Sequence, residues 1–196
     1  MALKTAVFLD KDGTLLENVP YNVDPLRMRP ATGVIEGLHT LSRTAMPLIV
    51  ISNQAGLALG KFDDRALEPM VQRLKEIFSE AGAEMVDFLY CPHHPAAVRP
   101  ELRLMCECRK PRPGLFQAAA AKHGIDLSQS WMVGDILDDI EAGHRAGCRS
   151  ILVDNGNETE WQAGLWREPD HTVANFAEAA NIVSAHVQQD AGAVHE

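Results

Sequence analysis

Thr5-Ala6-Val7-Phe8-Leu9-Asp10-Lys11-Asp12-Gly13-Thr14 is the stretch from which the rest of the chain can be read. An apolar run that stops on a charge is the pattern of a strand buried on both faces, because a half-buried strand alternates apolar with polar residues. Asp10 and Asp12 stand two positions apart on extended backbone, so their carboxylates point to the same side. One such carboxylate can attack a phosphoryl group and form an aspartyl-phosphate. The other can protonate the leaving oxygen and then activate water. Gly13 permits the sharp turn the chain takes after the strand. Taken alone, the string also fits an acidic turn capping a strand, so its weight depends on what stands elsewhere.

Working outward, short apolar runs recur over residues 47–51, 86–90, 131–133 and 150–153, with a weaker one over 171–173. Helical periodicity fills the intervals. Residues 31–44 place Val34, Leu38 and Leu41 on one face, and 63–81 do the same with Leu67, Met70, Val71, Leu74 and Phe78. Further helices are expected over 113–123, 138–146 and 176–187. This alternation predicts an α/β fold: a doubly wound, mainly parallel sheet with helices on both faces. The expected organisation is a single domain over 1–187 and a flexible tail over 188–196. Every strand ends in polar residues, namely Asp10, Ser52-Asn53, Cys91-Pro92-His93, Gly134-Asp135 and Asp154-Asn155. In such sheets ligands bind beyond the carboxyl ends of the strands, so these groups should converge on one crevice.

The totals agree with one compact unit. The chain has 196 residues, 46% of them hydrophobic, which suffices for one well-buried domain and hardly for two. A formal net charge of -9 argues against general nucleic-acid or membrane-surface binding, both of which call for basic stripes. It leaves room for a phosphorylated small molecule held in a local positive pocket. The apolar run before Asp10 is too short for a signal-peptide core or a membrane span, so the expected location is the cytoplasm. Cysteines stay reduced there, and clustered ones point to metal before disulfides.

Cys91 and His93 flank residues 94–105 on one side, and Cys106 and Cys108 on the other. Three thiolates and one imidazole make a closed tetrahedral zinc set with no open position, hence a structural ion. A long proline-rich segment without regular structure needs such a tie inside a compact domain. It runs straight into Arg109 and Lys110, so zinc would hold those cations in the crevice. His94 is expected to face solvent, Cys148 and Trp131 to lie in the core, and Trp161 and Trp166 to pack a loop.

The pattern strand-Asp-x-Asp-Gly-Thr resembles the first motif of the haloacid dehalogenase superfamily of phosphotransferases. Ser52 after the second strand, Lys110 in Cys108-Arg109-Lys110-Pro111, and Gly134-Asp135-Ile136-Leu137-Asp138-Asp139 follow in that superfamily's order. The resemblance implies a Rossmann-like haloacid dehalogenase fold, Asp10 as nucleophile and Asp12 as general acid/base. It also implies phosphate or substrate contacts from Ser52, Asn53, Arg109 and Lys110, and support from Gly13, Thr14 and Asp139, with Asp139 orienting Lys110. Mg²⁺ would be held by the Asp10 carboxylate, the Asp12 backbone carbonyl and the Asp135 carboxylate, few protein ligands sufficing for this ion.

Cys91-Pro92-His93-His94-Pro95 with Cys106-Glu107-Cys108-Arg109-Lys110-Pro111, together with Asn53-Gln54-Ala55-Gly56 and Gly60-Lys61-Phe62, resembles the D-glycero-D-manno-heptose 1,7-bisphosphate 7-phosphatases over residues 6–155. The sister family of histidinol-phosphate phosphatases has a shorter gap between its metal half-sites. The heptose resemblance implies removal of the 7-phosphate of a heptose bisphosphate, feeding nucleotide-activated heptose synthesis for lipopolysaccharide. The alternatives are histidinol phosphate or another small phosphate monoester. Leu59, Ile136 and Pro20 depart from that family's usual arginine, lysine and glycine. No room exists for a domain-sized cap, so the rim should be built from 15–30, 54–62 and the zinc loop, with Tyr21, Arg27 and Arg29 on it. The enzyme is expected to act as a monomer on a small soluble ester. A receiver domain would instead carry its phosphoacceptor at the end of the third strand, where Cys91-Pro92-His93 stands. A zinc-stabilised binding module would have no use for the intact acids.

Overall fold

The computed structural model of the chain describes residues 3–193. Six strands, β1 (Val7–Leu9), β2 (Leu48–Asn53), β3 (Met85–Cys91), β4 (Trp131–Gly134), β5 (Arg149–Val153) and β6 (His171–Val173), form one sheet in the order β3-β2-β1-β4-β5-β6. Every pairing is parallel, with Phe8 opposite both Ile49 and Met132. The helices are α1 (Val34–Ser42), α2 (Ala55–Ala58), α3 (Leu67–Glu80), α4 (Gly114–His123), α5 (Leu137–Ala146) and α6 (Phe176–Ala193).

Alternation along the strands sorts the core into two layers. Val7, Leu9, Val50, Trp131 and Val133 face α1, α3 and α6, which contribute Leu38, Leu41, Met70, Leu74, Phe78, Ala180 and Val183. Phe8, Ile49, Ile51 and Met132 face the other way, against Leu115, Phe116 and Ala119 of α4 and Ala142 of α5. Val7, Phe8 and Leu9 are fully buried, which is why that strand has no polar position. The Phe8 and Phe116 rings lie 4.9 Å apart at a tilt of 57°. Gly37 lets α1 and α6 approach closely, since a Cβ there would stand 2.5 Å from Phe176 Cδ1.

The doubly wound reading holds, and the differences are local. α1 is shorter at both ends than its expected span of 31–44. The expected 63–81 helix opens with a separate 3-10 turn, Asp64–Ala66. α2 was unexpected, because four residues are too few for a period to register. α6 runs past the expected end at Val187 to Ala193, while 194–196, the rest of the expected tail, lie outside the described residues. Residues 15–33 carry only the 3-10 turn Pro25–Arg27, and no cap-sized insertion is present among the described residues. None of the described helices is long and apolar enough to cross a membrane. Trp131 is 2% exposed and Cys148 5%, both in the core as expected. Trp161 and Trp166, read as loop packing, are instead 53% and 43% exposed. His94 is half-buried rather than open, its Nδ1 accepting from Ala96 N.

Candidate active site

The chain winds from β1 outward to β3 and then returns to the far side of β1 with β4. The carboxyl ends of β1 and β4 therefore flank the point where the winding reverses, the usual ligand crevice of such sheets. β1 brings Asp10 there and β4 brings Asp135, while the backbone N–H of Asp10 donates to Val133 O at 3.0 Å. Gly13 turns the chain back at φ +93°, and a Cβ at this position would stand 1.9 Å from Asp135 Oδ2. Glycine is thus demanded twice, by conformation and by space.

Lys110 enters from the end of the long loop after β3. Its Nζ lies 2.5 Å from Asp10 Oδ1 and 2.6 Å from Asp139 Oδ1, and donates to Ile51 O at 3.2 Å. Burial works against the charge, but the two carboxylates outweigh it and hold the ammonium above its usual range. Asn53 sets the backbone of this lysine: its Nδ2 donates to Lys110 O at 3.1 Å and its Oδ1 accepts from Lys110 N at 3.0 Å. Both polar ends of that side chain are therefore engaged within the protein rather than directed at the crevice. Arg109 lies beside it, donating to His93 O at 3.4 Å and lining a cavity of about 350 Å³ with Leu104, Met105 and Asp138.

Asp12 is held from two sides. Lys11 Nζ sits 2.8 Å from its Oδ1, and Gln54 Nε2 donates to its Oδ2 at 3.4 Å. Burial raises the Asp12 carboxyl above the ordinary carboxylate range, with Lys11 opposing and Asp10 reinforcing. A raised carboxyl suits an acid that must hold a proton to give. Gln54 Nε2 also donates to Ser52 Oγ at 2.8 Å, which leaves the buried hydroxyl's own proton free to donate.

Asp135 Oδ1 accepts from Thr14 Oγ1 at 3.1 Å and its Oδ2 from Asn157 Nδ2 at 2.8 Å. Burial, then the charges of Asp10 and Asp139, push its carboxyl up to about 8. Asp139 is engaged with Lys110 through one oxygen and with the N–H groups of Asp135 and Ile136 through the other. Burial and Asp10 raise its carboxyl to about 7 against the opposing Lys110. Oxygens of Asp10, Asp135 and Asp139 lie within 4.8 Å of one another. With Lys110 taken up by Asp10 and Asp139, Asp135 has only the neutral donors Thr14 and Asn157 on its oxygens among the described side chains, and a bound cation would favour its ionised form. This all-oxygen, anionic set fits a small hard divalent cation such as Mg²⁺.

The second cluster lies at the base of the long loop. Cys91 Sγ stands 3.4 Å from Cys106 Sγ, Cys108 Sγ 3.3 Å from Cys106 Sγ, and His93 Nδ1 3.3 Å from Cys108 Sγ. All four cysteines of the chain are free thiols, and this three-sulfur, one-nitrogen set fits Zn²⁺. Sequence reading missed Lys11, Gln54 and Asn157. The buried Lys11 belongs to the same Asp-Lys-Asp string, and Gln54 to the quoted Asn-Gln-Ala-Gly run. Asn157, after β5, stands in a segment with neither period nor motif.

The HAD-hydrolase-like family model matches residues 107–179. D-glycero-alpha-D-manno-heptose-1,7-bisphosphate 7-phosphatase of Photorhabdus laumondii is 36% identical over 153 residues, covering 78% of this chain and 84% of that protein. D-glycero-beta-D-manno-heptose-1,7-bisphosphate 7-phosphatase of Pseudomonas aeruginosa is 35% identical over 154 residues, covering 78% and 83%. The crystal structure of D,D-heptose 1,7-bisphosphate phosphatase from B. bronchiseptica, complexed with magnesium and phosphate, superposes with a TM-score of 0.80 at 28% identity. That match covers 93% of this chain and 99% of that one.

Proposed function

This chain belongs to the haloacid dehalogenase-like family of the D-glycero-D-manno-heptose-1,7-bisphosphate 7-phosphatases, phosphoric monoester hydrolases, and from that premise we propose that it removes the 7-phosphate of a heptose 1,7-bisphosphate through an aspartyl-phosphate on Asp10. We take it to act as a monomer in the cytoplasm. The observation that carries the mechanism is the Asp10–Lys110 pair at 2.5 Å, with Asp12 in the turn just beyond β1 and near enough for the Asp10 charge to act on its carboxyl.

In the first step an Asp10 carboxylate oxygen attacks phosphorus and the bond from phosphorus to the sugar oxygen breaks. Asp12 gives its proton to that leaving oxygen, which departs as the C7 hydroxyl. In the second step Asp12, now a carboxylate, takes a proton from water as the water oxygen attacks phosphorus. The Asp10–phosphorus bond breaks, and inorganic phosphate leaves. Lys110 pairs with Asp10 and balances the phosphoryl charge, and the Ser52 hydroxyl donates to a phosphoryl oxygen. Arg109, on the rim, answers the far end of the substrate. Asp10, Asp135 and the Asp12 carbonyl would hold Mg²⁺, with Asp139 kept to Lys110. When bound, that ion neutralises charge on the transferring phosphoryl. Zn²⁺ on Cys91, His93, Cys106 and Cys108 would be structural.

The relatives include enzymes named for either anomer, so both belong in the test. Phosphate release with Mg²⁺ should be followed for both anomers of the heptose bisphosphate, histidinol phosphate and simple sugar phosphates. The highest kcat/KM is expected for a heptose bisphosphate. A clear preference for another ester would retain the two-aspartate chemistry and overturn the substrate.

A further inference from the structure

The segment that follows β5, residues 154–160, takes no part in the chemistry above, yet its side chains are bonded to the crevice's own frame. Asn155 Nδ2 donates to Gly13 O at 2.7 Å, and Asn157 Nδ2 donates to Asp135 Oδ2 at 2.8 Å. Asn18 Nδ2 in turn donates to Asn157 Oδ1 at 3.2 Å. A cavity of about 460 Å³ lies against these amides. Because they are already bonded to the frame and to one another, they act as supports rather than as ligand contacts.

We propose that Asn157 is a positioning residue for Asp135, fixing the rotation of its carboxylate and thereby the affinity of the site for its divalent cation. The inference rests on reading Asp135 as a ligand of that cation. A carboxylate free to rotate loses entropy when a cation fixes it, whereas one already held loses less. Asp135 is held at both ends, by Thr14 on Oδ1 and by Asn157 on Oδ2. The Asn157 amide is itself oriented, since Asn18 takes its oxygen and leaves its nitrogen for Asp135. The donor is neutral, so it orients the carboxylate without adding a positive charge that would compete with the cation. The approach exists because position 13 is glycine: a Cβ there would stand 2.7 Å from Asn157 Nδ2. Asn157 lies on a surface loop and is only half-buried, so its replacement should leave the fold in place.

The test uses the full chain and Mn²⁺ as probe, with free Mn²⁺ followed by electron paramagnetic resonance in the absence of substrate. Wild type, Asn157→Ala, Asn157→Leu and Asp135→Asn would be titrated, with melting temperatures as the check on folding. Both Asn157 variants should raise the Mn²⁺ dissociation constant about tenfold or more, the range seen when a partner of a metal ligand is removed. Their KM for p-nitrophenyl phosphate at saturating Mn²⁺ should stay near wild type, and Asp135→Asn should lose Mn²⁺ altogether. If folded Asn157→Ala and Asn157→Leu bind Mn²⁺ as wild type does while Asp135→Asn has lost it, the positioning role is wrong. If Asp135→Asn binds as wild type does, the metal reading of Asp135 falls first, and the role of Asn157 falls with it.

Discussion

Lys110 shows how tightly charge is balanced at the level of single residues. It is a buried ammonium between two carboxylates, so removing it strands both of them. Lys110→Met should cost about 3–5 kcal/mol, the range for breaking a buried pair by deleting one partner. Urea denaturation would measure that loss, and phosphate release should disappear with it. Asp10→Asn is the opposite case. It removes an anion from a crowded cluster and leaves an amide of the same shape, so turnover should vanish while the melting temperature holds or rises. Retained turnover in that variant would exclude Asp10 as the nucleophile. At this scale the legible residues were those whose type and place coincide, acids and a hydroxyl at strand ends. Gln54 and Asn157 were not legible because an amide announces no chemistry of its own, and only its partners reveal what it does.

Among the elements, α5 depends most visibly on a distant side chain. Its first N–H, that of Leu137, donates to Glu158 Oε2 at 2.6 Å, and Glu160 and Trp161 donate to the other oxygen. A carboxylate at a helix start satisfies an orphan donor and meets the favourable end of the dipole. Glu158→Ala should therefore cost about 1 kcal/mol in chemical denaturation, as the loss of a helix cap does. Burial alone would raise the Glu158 carboxyl, but the backbone donors of Leu137, Glu160 and Trp161 outweigh it and hold the group below its ordinary value of 4.5. A carboxyl lowered by folding stabilises above its unfolded pKa and loses that contribution as pH falls through its folded one. The stability gap between wild type and Glu158→Gln should thus be full at neutral pH and close as pH drops below that ordinary value. A gap that stays constant into acid would show that the ionised carboxylate is not what caps the helix. The strands were readable because each is a short apolar run cut off by polar residues. The extent of α6 was not, since its alanines and polar residues past Val187 carry no apolar stripe to mark an end.

The whole molecule joins two kinds of stability. The sheet and its two helix layers rest on apolar burial, whereas residues 92–113 contain only one 3-10 turn, Pro100–Leu102, as regular structure and are gathered at Cys91, His93, Cys106 and Cys108. Stripping metal with a strong chelator, or Cys106→Ser, should lower the melting temperature and raise KM through Arg109 and Lys110, while far-ultraviolet circular dichroism stays near wild type. Full activity in a zinc-free Cys106→Ser protein would separate the loop's metal from the crevice. The crevice is also built from residues far apart along the chain. Lys110 meets Asp10 across 100 positions, Thr14 meets Asp135 across 121, and Asn155 meets Gly13 across 142. Contacts at such separations carry the largest loop-closure cost and tend to form late. During refolding, the helices, whose hydrogen bonds are local, should therefore form before these pairs exist, and far-ultraviolet circular dichroism should recover ahead of activity. For that interval the protein would be a nearly finished scaffold with no working centre, and the return of activity would mark the last event in its assembly.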